Sequence, residues 1–124
     1  MSEASIESMS SCIEDCLACV IACNDCYSAC LEEPDIAKMR DCIRLDRECA
    51  DLCAFTAQAL TIGSSYRAEL VLLCAEACQR CGEACAKHDH AHCRRCAEAC
   101  FKCAASCIGL AQELSIRQRE ASGV

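Results

Sequence analysis

Residues 12–30 read CIEDCLACVIACNDCYSAC and place six cysteines within nineteen residues. Successive cysteines in this stretch are separated by four, three, four, three and four positions. Core residues that recur at spacings of three and four form one face of an amphipathic α-helix. The stretch therefore predicts a helix whose buried stripe consists of thiols rather than of leucines.

The same spacing recurs in three further segments of the 124-residue chain. The second segment has the fewest cysteines, and Leu45 or Asp46 occupies the position where a further one would fall. We expect Leu45 to take that core position and Asp46 to face solvent, because a carboxylate is costly to bury. The eighteen cysteines, segment by segment, are Cys12, Cys16, Cys19, Cys23, Cys26 and Cys30; Cys42, Cys49 and Cys53; Cys74, Cys78, Cys81 and Cys85; and Cys93, Cys96, Cys100, Cys103 and Cys107.

Residues that end or begin helices separate these segments. Pro34 interrupts the chain after the first segment, Gly63 is a C-cap signal after the second, and Asp89 is a plausible N-cap for the fourth. The predicted helices span about residues 5–32, 34–60, 65–87 and 89–120. Because short connections join antiparallel neighbours, we predict an all-α, up-down-up-down four-helix bundle that forms a single domain over residues 1–124.

Composition excludes several classes of function. The formal net charge is −7, and only 3% of the residues are aromatic, so the chain lacks the basic, stacking surface of a nucleic-acid-binding protein. It also lacks a polybasic membrane patch and any uncharged apolar run of spanning length. The first fifteen residues do not resemble a signal peptide, since they are acidic and have no apolar core. We therefore expect a cytoplasmic protein that contacts neither nucleic acid nor membrane.

A cytoplasmic location bears on how the cysteines are interpreted, because thiols stay reduced there. Dense cysteines in a reducing compartment indicate metal ligands before disulfides. A few buried cysteines would need no explanation, since the residue packs as a small hydrophobe. Eighteen cysteines at core positions do need an explanation, because alanine or valine would fill the same space without the risk of oxidation.

Side chains four residues apart on a helix lie about 5–6 Å from each other at Cβ, so two thiolates can hold one ion between them. Soft thiolates select Cu(I), zinc or iron–sulfur clusters. We favour Cu(I) because monovalent ions bridged by thiolates leave the core nearly neutral. The candidate pairs are Cys12/Cys16, Cys19/Cys23, Cys26/Cys30, Cys49/Cys53, Cys74/Cys78, Cys81/Cys85, Cys96/Cys100 and Cys103/Cys107.

Two other kinds of protein stay open at this point. A zinc or general soft-metal buffer, similar to metallothionein, would need facing helices to supply tetrahedral four-thiolate sites, each with a charge of about −2. A redox protein would use the thiols for disulfide exchange or for iron–sulfur clusters, whose ligands usually lie in compact loops. No nucleophile–base arrangement is evident, so we do not expect an enzyme.

The two ends of the predicted bundle differ in chemistry. Soft and borderline ligands collect at one end, where Met39 and three histidines adjoin the terminal cysteines of each helix. We predict that this end is the mouth through which metal passes, with Met39, His88 and His92 as candidate ligands beside the thiols. The mouth cysteines are Cys30, Cys42, Cys85 and Cys93, and His90 lies in the same turn. The opposite end is predicted to be closed by Leu60, Leu70, Val71, Leu110 and Leu114, with Met9 packed nearby.

A second apolar set on the first helix flanks its thiol stripe. Since the cysteines already fill the core, these residues need another surface to cover them. Packing against neighbouring helices would cover some of them, and we predict that self-association of the chain covers the rest. The residues are Ile6, Ile13, Leu17, Val20, Ile21 and Tyr27.

The four cysteine-striped segments resemble the bacterial copper storage proteins, specifically their cytosolic branch. The resemblance extends from Cys12 to Leu114 and includes the repeated C-x-x-x-C and C-x-x-C spacings. It implies a four-helix bundle that holds many Cu(I) ions on inward thiolates, with Met39 and His88 as mouth residues and His90 and His92 matched by location only. It also implies a homo-tetramer. A copper chaperone or other exchange partner is a further candidate partner.

Overall fold

The computed structural model describes residues 3–121, with side chains described for residues 6–115. Four α-helices account for most of this range, which confirms the predicted all-α four-helix bundle. They are α1 (Glu3–Leu31), α2 (Arg40–Thr61), α3 (Arg67–Ala86) and α4 (Ala91–Ala121). In this part of the chain no helix is long and apolar enough to cross a membrane.

The helices surround a single core. Helix α1 packs against α2 and α4, and α3 packs against the same two neighbours. Over residues 3–121 no Cα atoms of the diagonal pairs, α1 with α3 and α2 with α4, lie within 8 Å of each other, so these helices meet only through side chains at the axis, as Cys19 and Cys78 do. Each helix therefore has one face directed at the bundle axis, and that face carries the cysteines.

The connection between α1 and α2 differs from the prediction that Pro34 and Asp35 open the second helix. A 3₁₀ turn, Ile36–Met39, lies between them, and α2 begins only at Arg40. The backbone N–H of Lys38 donates to the Asp35 carbonyl at 2.8 Å, which closes this turn. The extra turn places Met39 fully buried at the end of the core.

The C-cap predicted at Gly63 is confirmed. Gly63 has φ of 66°, a left-handed conformation that glycine adopts without the steric cost of a Cβ. The Ser64 N–H donates to the Ala59 carbonyl at 2.9 Å, and the Gly63 N–H donates to the Leu60 carbonyl at 3.2 Å. These two bonds form a Schellman motif, which ends α2 and turns the chain towards α3.

The start of α4 lies one residue later than predicted. The Arg94 N–H donates to the carbonyl of His90 at 3.1 Å, so His90 rather than Asp89 immediately precedes the helix. As a result, His92 lies in the first turn of α4, one residue before the first cysteine of that helix.

Candidate metal centre

All eighteen cysteine side chains lie inside the bundle. Each is a free thiol, and none is more than 1% exposed. The prediction that every helix directs its thiols inward is therefore confirmed. Because no large apolar residue interrupts the cysteine-bearing part of this axis, the middle of the core is a column of sulfur.

Cys19 on α1 illustrates how closely the four helices bring their sulfurs together. Its Sγ lies 3.8 Å from Cys49 on α2, 3.9 Å from Cys78 on α3 and 3.7 Å from Cys100 on α4. It also lies 3.8 Å from Cys23 on its own helix. Contacts between helices are thus as short as contacts within one helix, so an ion bound here can join several helices.

Short distances between sulfurs occur both within single helices and between neighbouring helices. Four of the eight predicted pairs have sulfurs 3.7–3.9 Å apart. Equally short distances join different helices: Cys12 lies 3.7 Å from Cys107, and Cys16 lies 3.7 Å from Cys103. Spacing along one helix does not reveal these pairs, because they depend on how neighbouring helices are rotated and shifted. The close pairs within helices are Cys19/Cys23, Cys26/Cys30, Cys49/Cys53 and Cys96/Cys100.

The thiols also form groups of four whose sulfurs all lie within 4.8 Å of one another. Thiolates that share one ion at bond lengths of about 2.3 Å are at most about 4.6 Å apart, so these groups are close to metal-binding geometry before any ion arrives. Cys19, Cys23, Cys100 and Cys103 each belong to two of the groups below, and a shared thiolate can bridge two ions. The groups include Cys16/Cys74/Cys103/Cys107, Cys19/Cys53/Cys78/Cys103, Cys19/Cys23/Cys49/Cys100, Cys23/Cys81/Cys96/Cys100 and Cys26/Cys30/Cys42/Cys93.

The predicted mouth residues lie together at one end of this column. The sulfurs of Cys42 and Cys85 are 3.2 Å apart, and Met39 is fully buried beside the thiol core. His88 is half-buried in the turn after α3, and its backbone N–H donates to the carbonyl of Cys85 at 3.1 Å. The structure therefore brings Met39, His88 and the mouth thiols to the same end of the bundle.

His92 makes direct contact with the thiol core. Its Nδ1 lies 3.4 Å from the Sγ of Cys26 and 3.6 Å from the Sγ of Cys93. His90 instead lies against carboxylates, with its ring nitrogens 3.6 Å from Glu33 and 3.7 Å from Asp35. Of these two histidines, the one with an imidazole nitrogen at the sulfur column is His92.

The prediction for Asp46 was wrong. Asp46 is 0% exposed, and Leu45 is only half-buried. Its Oδ1 accepts hydrogen bonds from the thiols of Cys81 and Cys96, both at 3.2 Å, and of Cys85 at 3.5 Å. Its Oδ2 is also buried and has no partner among the described residues.

The spacing of α2 explains the position of Asp46. The residue lies four positions after Cys42 and three before Cys49, which continues the alternation of four and three that defines the buried face. Our expectation gave more weight to the hydrophobicity of Leu45 than to this spacing. The periodicity alone identifies Asp46 as a core residue.

Burial shifts the ionisation of groups in the core. Burial, followed by the negative charges of Cys96 and Cys81, raises the pKa of Asp46 to about 10. Burial likewise raises the pKa of the mouth thiol Cys30 to about 11. Burial thus favours the neutral forms of Asp46 and Cys30, and the thiolate of Cys30 forms when a cation replaces its proton.

Aliphatic side chains close the opposite end, as predicted. Leu60, Val71, Leu110 and Leu114 are buried there, and Leu70 is half-buried. Met9 is half-buried and packs against the same core. The bundle thus has soft ligands at one end and hydrocarbon at the other.

Comparison with known proteins adds to this geometry. The family model described as Csp, copper storage protein, matches residues 5–112 of the chain. The chain belongs to the copper storage protein family. The matched range includes every cysteine of the core together with Met39, His88 and His92.

Three relatives illustrate the similarity of this copper storage family member to other proteins. The uncharacterized cysteine-rich protein YhjQ of Bacillus subtilis (strain 168) is 50% identical over 83 residues, which cover 67% of this chain and 77% of the relative. The Cu(I)-bound copper storage protein BsCsp3 is 48% identical with a TM-score of 0.81, over 84% of this chain and 98% of that structure. A cytosolic copper storage protein from Streptomyces lividans, in a structure with five coppers, is 42% identical with a TM-score of 0.86, over 90% of this chain and 98% of that one.

Proposed function

We propose that this protein stores Cu(I) in the cytoplasm by binding many cuprous ions to its buried thiols. The observation that carries the proposal is the continuous column of eighteen free cysteines, in which sulfurs from all four helices approach to within 4 Å. The names of its relatives agree, since BsCsp3 is described as Cu(I)-bound and the Streptomyces lividans protein as a cytosolic copper storage protein. Copper is the cargo of this bundle.

The proposed ligands are all eighteen cysteines, with Met39, His88 and His92 at the mouth. Incoming Cu(I) meets the thioether and imidazole ligands of the mouth first and then passes inward by exchange between neighbouring thiolates. Such exchange is supported by the short spacing of the sulfurs, since Cys26 lies 3.9 Å from Cys93 and 3.7 Å from Cys30. We treat residues 1–124 as one metal-binding domain.

Charge favours Cu(I) over zinc as the stored ion. A Zn²⁺ ion with four thiolates keeps a net charge of about −2, and several such sites in one narrow core would carry a large desolvation cost. The raised pKa of Asp46 reflects the same cost, since burial and neighbouring thiolates already disfavour a single carboxylate. One Cu(I) per bridging thiolate leaves the column close to neutral, and sulfurs shared between four-thiol groups suit such bridging.

The role we propose is not enzymatic, and its partners act by exchanging copper. A copper chaperone or another exchange partner would meet the protein at the mouth, where His88 and His90 are partly exposed. We also propose that the chain forms a homo-tetramer. Leu17 and Ile21 on α1 are about half exposed or more, and association would cover them. Sedimentation as a clean monomer would contradict that part of the proposal.

An anaerobic titration of the fully reduced protein with Cu(I) tests the storage function. A coloured Cu(I) chelator present as a competitor should stay uncoloured until well over about ten equivalents of copper have been added, because bridged thiolates bind about one ion each. The same protein with its thiols alkylated is the control and should lose copper to the chelator from the first addition. Colour after only a few equivalents in the untreated protein would refute bulk storage, and saturation by zinc near four equivalents would favour the zinc buffer instead.

A further inference from the structure

The imidazole of His92 is held between a carboxylate and two thiols. Its Nε2 lies 3.1 Å from the Oε1 of Glu33, on the side away from the core. Its Nδ1 faces the sulfurs of Cys26 and Cys93 at 3.4 and 3.6 Å. The side chain is only 11% exposed, so few alternative partners from solvent reach the ring.

This arrangement determines which nitrogen of the ring carries hydrogen. A neutral imidazole has one N–H donor and one acceptor nitrogen, and an ionised carboxylate can only accept. Glu33 therefore selects the tautomer with hydrogen on Nε2. The lone pair of Nδ1 is then free and directed at the thiols, as required of a nitrogen that binds a metal.

Glu33 is well placed to hold the ring in this position. Its backbone N–H donates to the Cys30 carbonyl at 3.2 Å, and Pro34 follows it and restricts its backbone. Its second carboxylate oxygen lies 3.6 Å from His90, whose ring stacks on that of His92 at 5.3 Å and 5°. One carboxylate and one stacked ring thus fix both the direction and the plane of the His92 imidazole.

We propose that Glu33 is a positioning residue for copper loading: it accepts the Nε2 hydrogen of His92 and so presents the Nδ1 lone pair to a Cu(I) ion shared with Cys26 and Cys93. This inference rests on the proposed storage function. In the loading step Cu(I) replaces the proton of a thiol, that proton passes to water, and the Nε2 hydrogen of His92 stays in its bond to Glu33. No electron is transferred. Histidines that bind metals commonly donate their second ring N–H to a carboxylate in this way.

The tautomer can be measured without copper. Long-range ¹H–¹⁵N NMR of the metal-free protein should show His92 with hydrogen on Nε2, and the chain has only three histidines to assign by single substitutions. In Glu33→Ala we expect a mixture of tautomers for His92. Asp35→Ala is the matched control, because Asp35 contacts His90 and makes no side-chain cap bond to the 3₁₀ turn. An Nδ1–H tautomer in the wild-type protein, or an unchanged His92 spectrum in Glu33→Ala, would overturn the proposal.

Copper binding provides the second measurement. Loss of an outer carboxylate partner typically weakens metal binding by about 10- to 100-fold. Glu33→Ala should therefore hold its first equivalents of Cu(I) at least about tenfold more weakly against a chelator, while total capacity and helical circular dichroism stay unchanged and Asp35→Ala behaves like wild type. Equal affinity in Glu33→Ala and wild type would overturn the positioning role. A wild-type protein that takes up only a few ions would instead refute storage, and the NMR result would still decide the arrangement of Glu33 and His92.

Discussion

Replacing Asp46 with asparagine should make the copper-free bundle more stable at neutral pH and less sensitive to pH. Asp46 is fully buried, and its Oδ1 accepts hydrogen bonds from the thiols of Cys81 and Cys96. The carboxamide oxygen of asparagine can accept the same two bonds. The substitution therefore removes the ionisable group while keeping its size and its acceptor.

The size of this stability difference follows from the difference in the pKa of Asp46 between the folded and unfolded states. Burial, followed by the charges of Cys96 and Cys81, raises the pKa of Asp46 from 3.8 to about 10. In the unfolded chain the carboxyl ionises at its ordinary pKa of 3.8, whereas in the folded protein it keeps its proton up to about pH 10. The free energy of unfolding therefore falls as the pH rises from 3.8 towards 10. One such group changes the free energy of unfolding by about 1.4 kcal/mol per pH unit within this window. Between pH 5 and pH 7 the wild-type protein should therefore lose about 2.7 kcal/mol relative to Asp46→Asn.

Guanidinium unfolding followed by circular dichroism, under reducing and anaerobic conditions at pH 5, 6 and 7, measures this difference. Comparing the two proteins at each pH cancels the contribution of every other titrating group. Asp41→Asn is the matched control, since Asp41 lies on the same helix and is 78% exposed, and it should keep the wild-type slope. Parallel pH profiles for wild type and Asp46→Asn would refute the conclusion that this carboxyl is neutral in the folded core.

Three further predictions concern the core and its cargo. Thr56→Val should stabilise the metal-free protein by about 1 kcal/mol in chemical unfolding, because the buried Oγ1 of Thr56 has no hydrogen-bond partner among the described residues. Thr61→Val is the control and should not stabilise the protein, because it loses a 2.8 Å hydrogen bond to the Ala57 carbonyl. The Cu(I) affinity should rise about tenfold per pH unit for each thiol proton that an ion displaces. Burial raises the pKa of Cys30 to about 11, so its thiol is protonated at neutral pH. An affinity that stays constant between pH 6 and pH 8 in chelator competition would contradict thiolate ligation. Removing copper with excess chelator should lower the melting temperature measured by calorimetry. The loss of stability should be about 2.7 kcal/mol for one site at which free copper had been 100 times the dissociation constant. An unchanged melting temperature would mean that the ions do not link the helices.

The cysteine spacing was sufficient to predict the bundle and its inward thiols, because a period of 3.6 residues fixes which side chains share a face. The spacing was also sufficient to identify Asp46 as a core residue, although our prediction gave the hydrophobicity of Leu45 more weight than the spacing. The contact between Cys12 and Cys107 was not predictable in this way, since it depends on the rotation and axial shift of α1 against α4. The contact of His92 with Glu33 requires the turn after α1 to meet the start of a helix 59 residues later, which no local pattern encodes.

The same sulfurs determine both the capacity of the bundle and its stability. Thiols contribute less buried hydrocarbon than leucines would, so the metal-free core depends on aliphatic residues at its closed end, such as Leu60 and Leu110. Ions that bridge Cys19 to sulfurs on the other helices bind only when the bundle is folded, so loading adds stability in proportion to the sites filled. Because hydrocarbon closes the far end, we expect ions to leave past Cys30, Cys42 and the proposed mouth ligands. On this proposal, release would proceed from the end where Glu33 and His92 meet the thiols, and the deepest ions would be the last to be withdrawn.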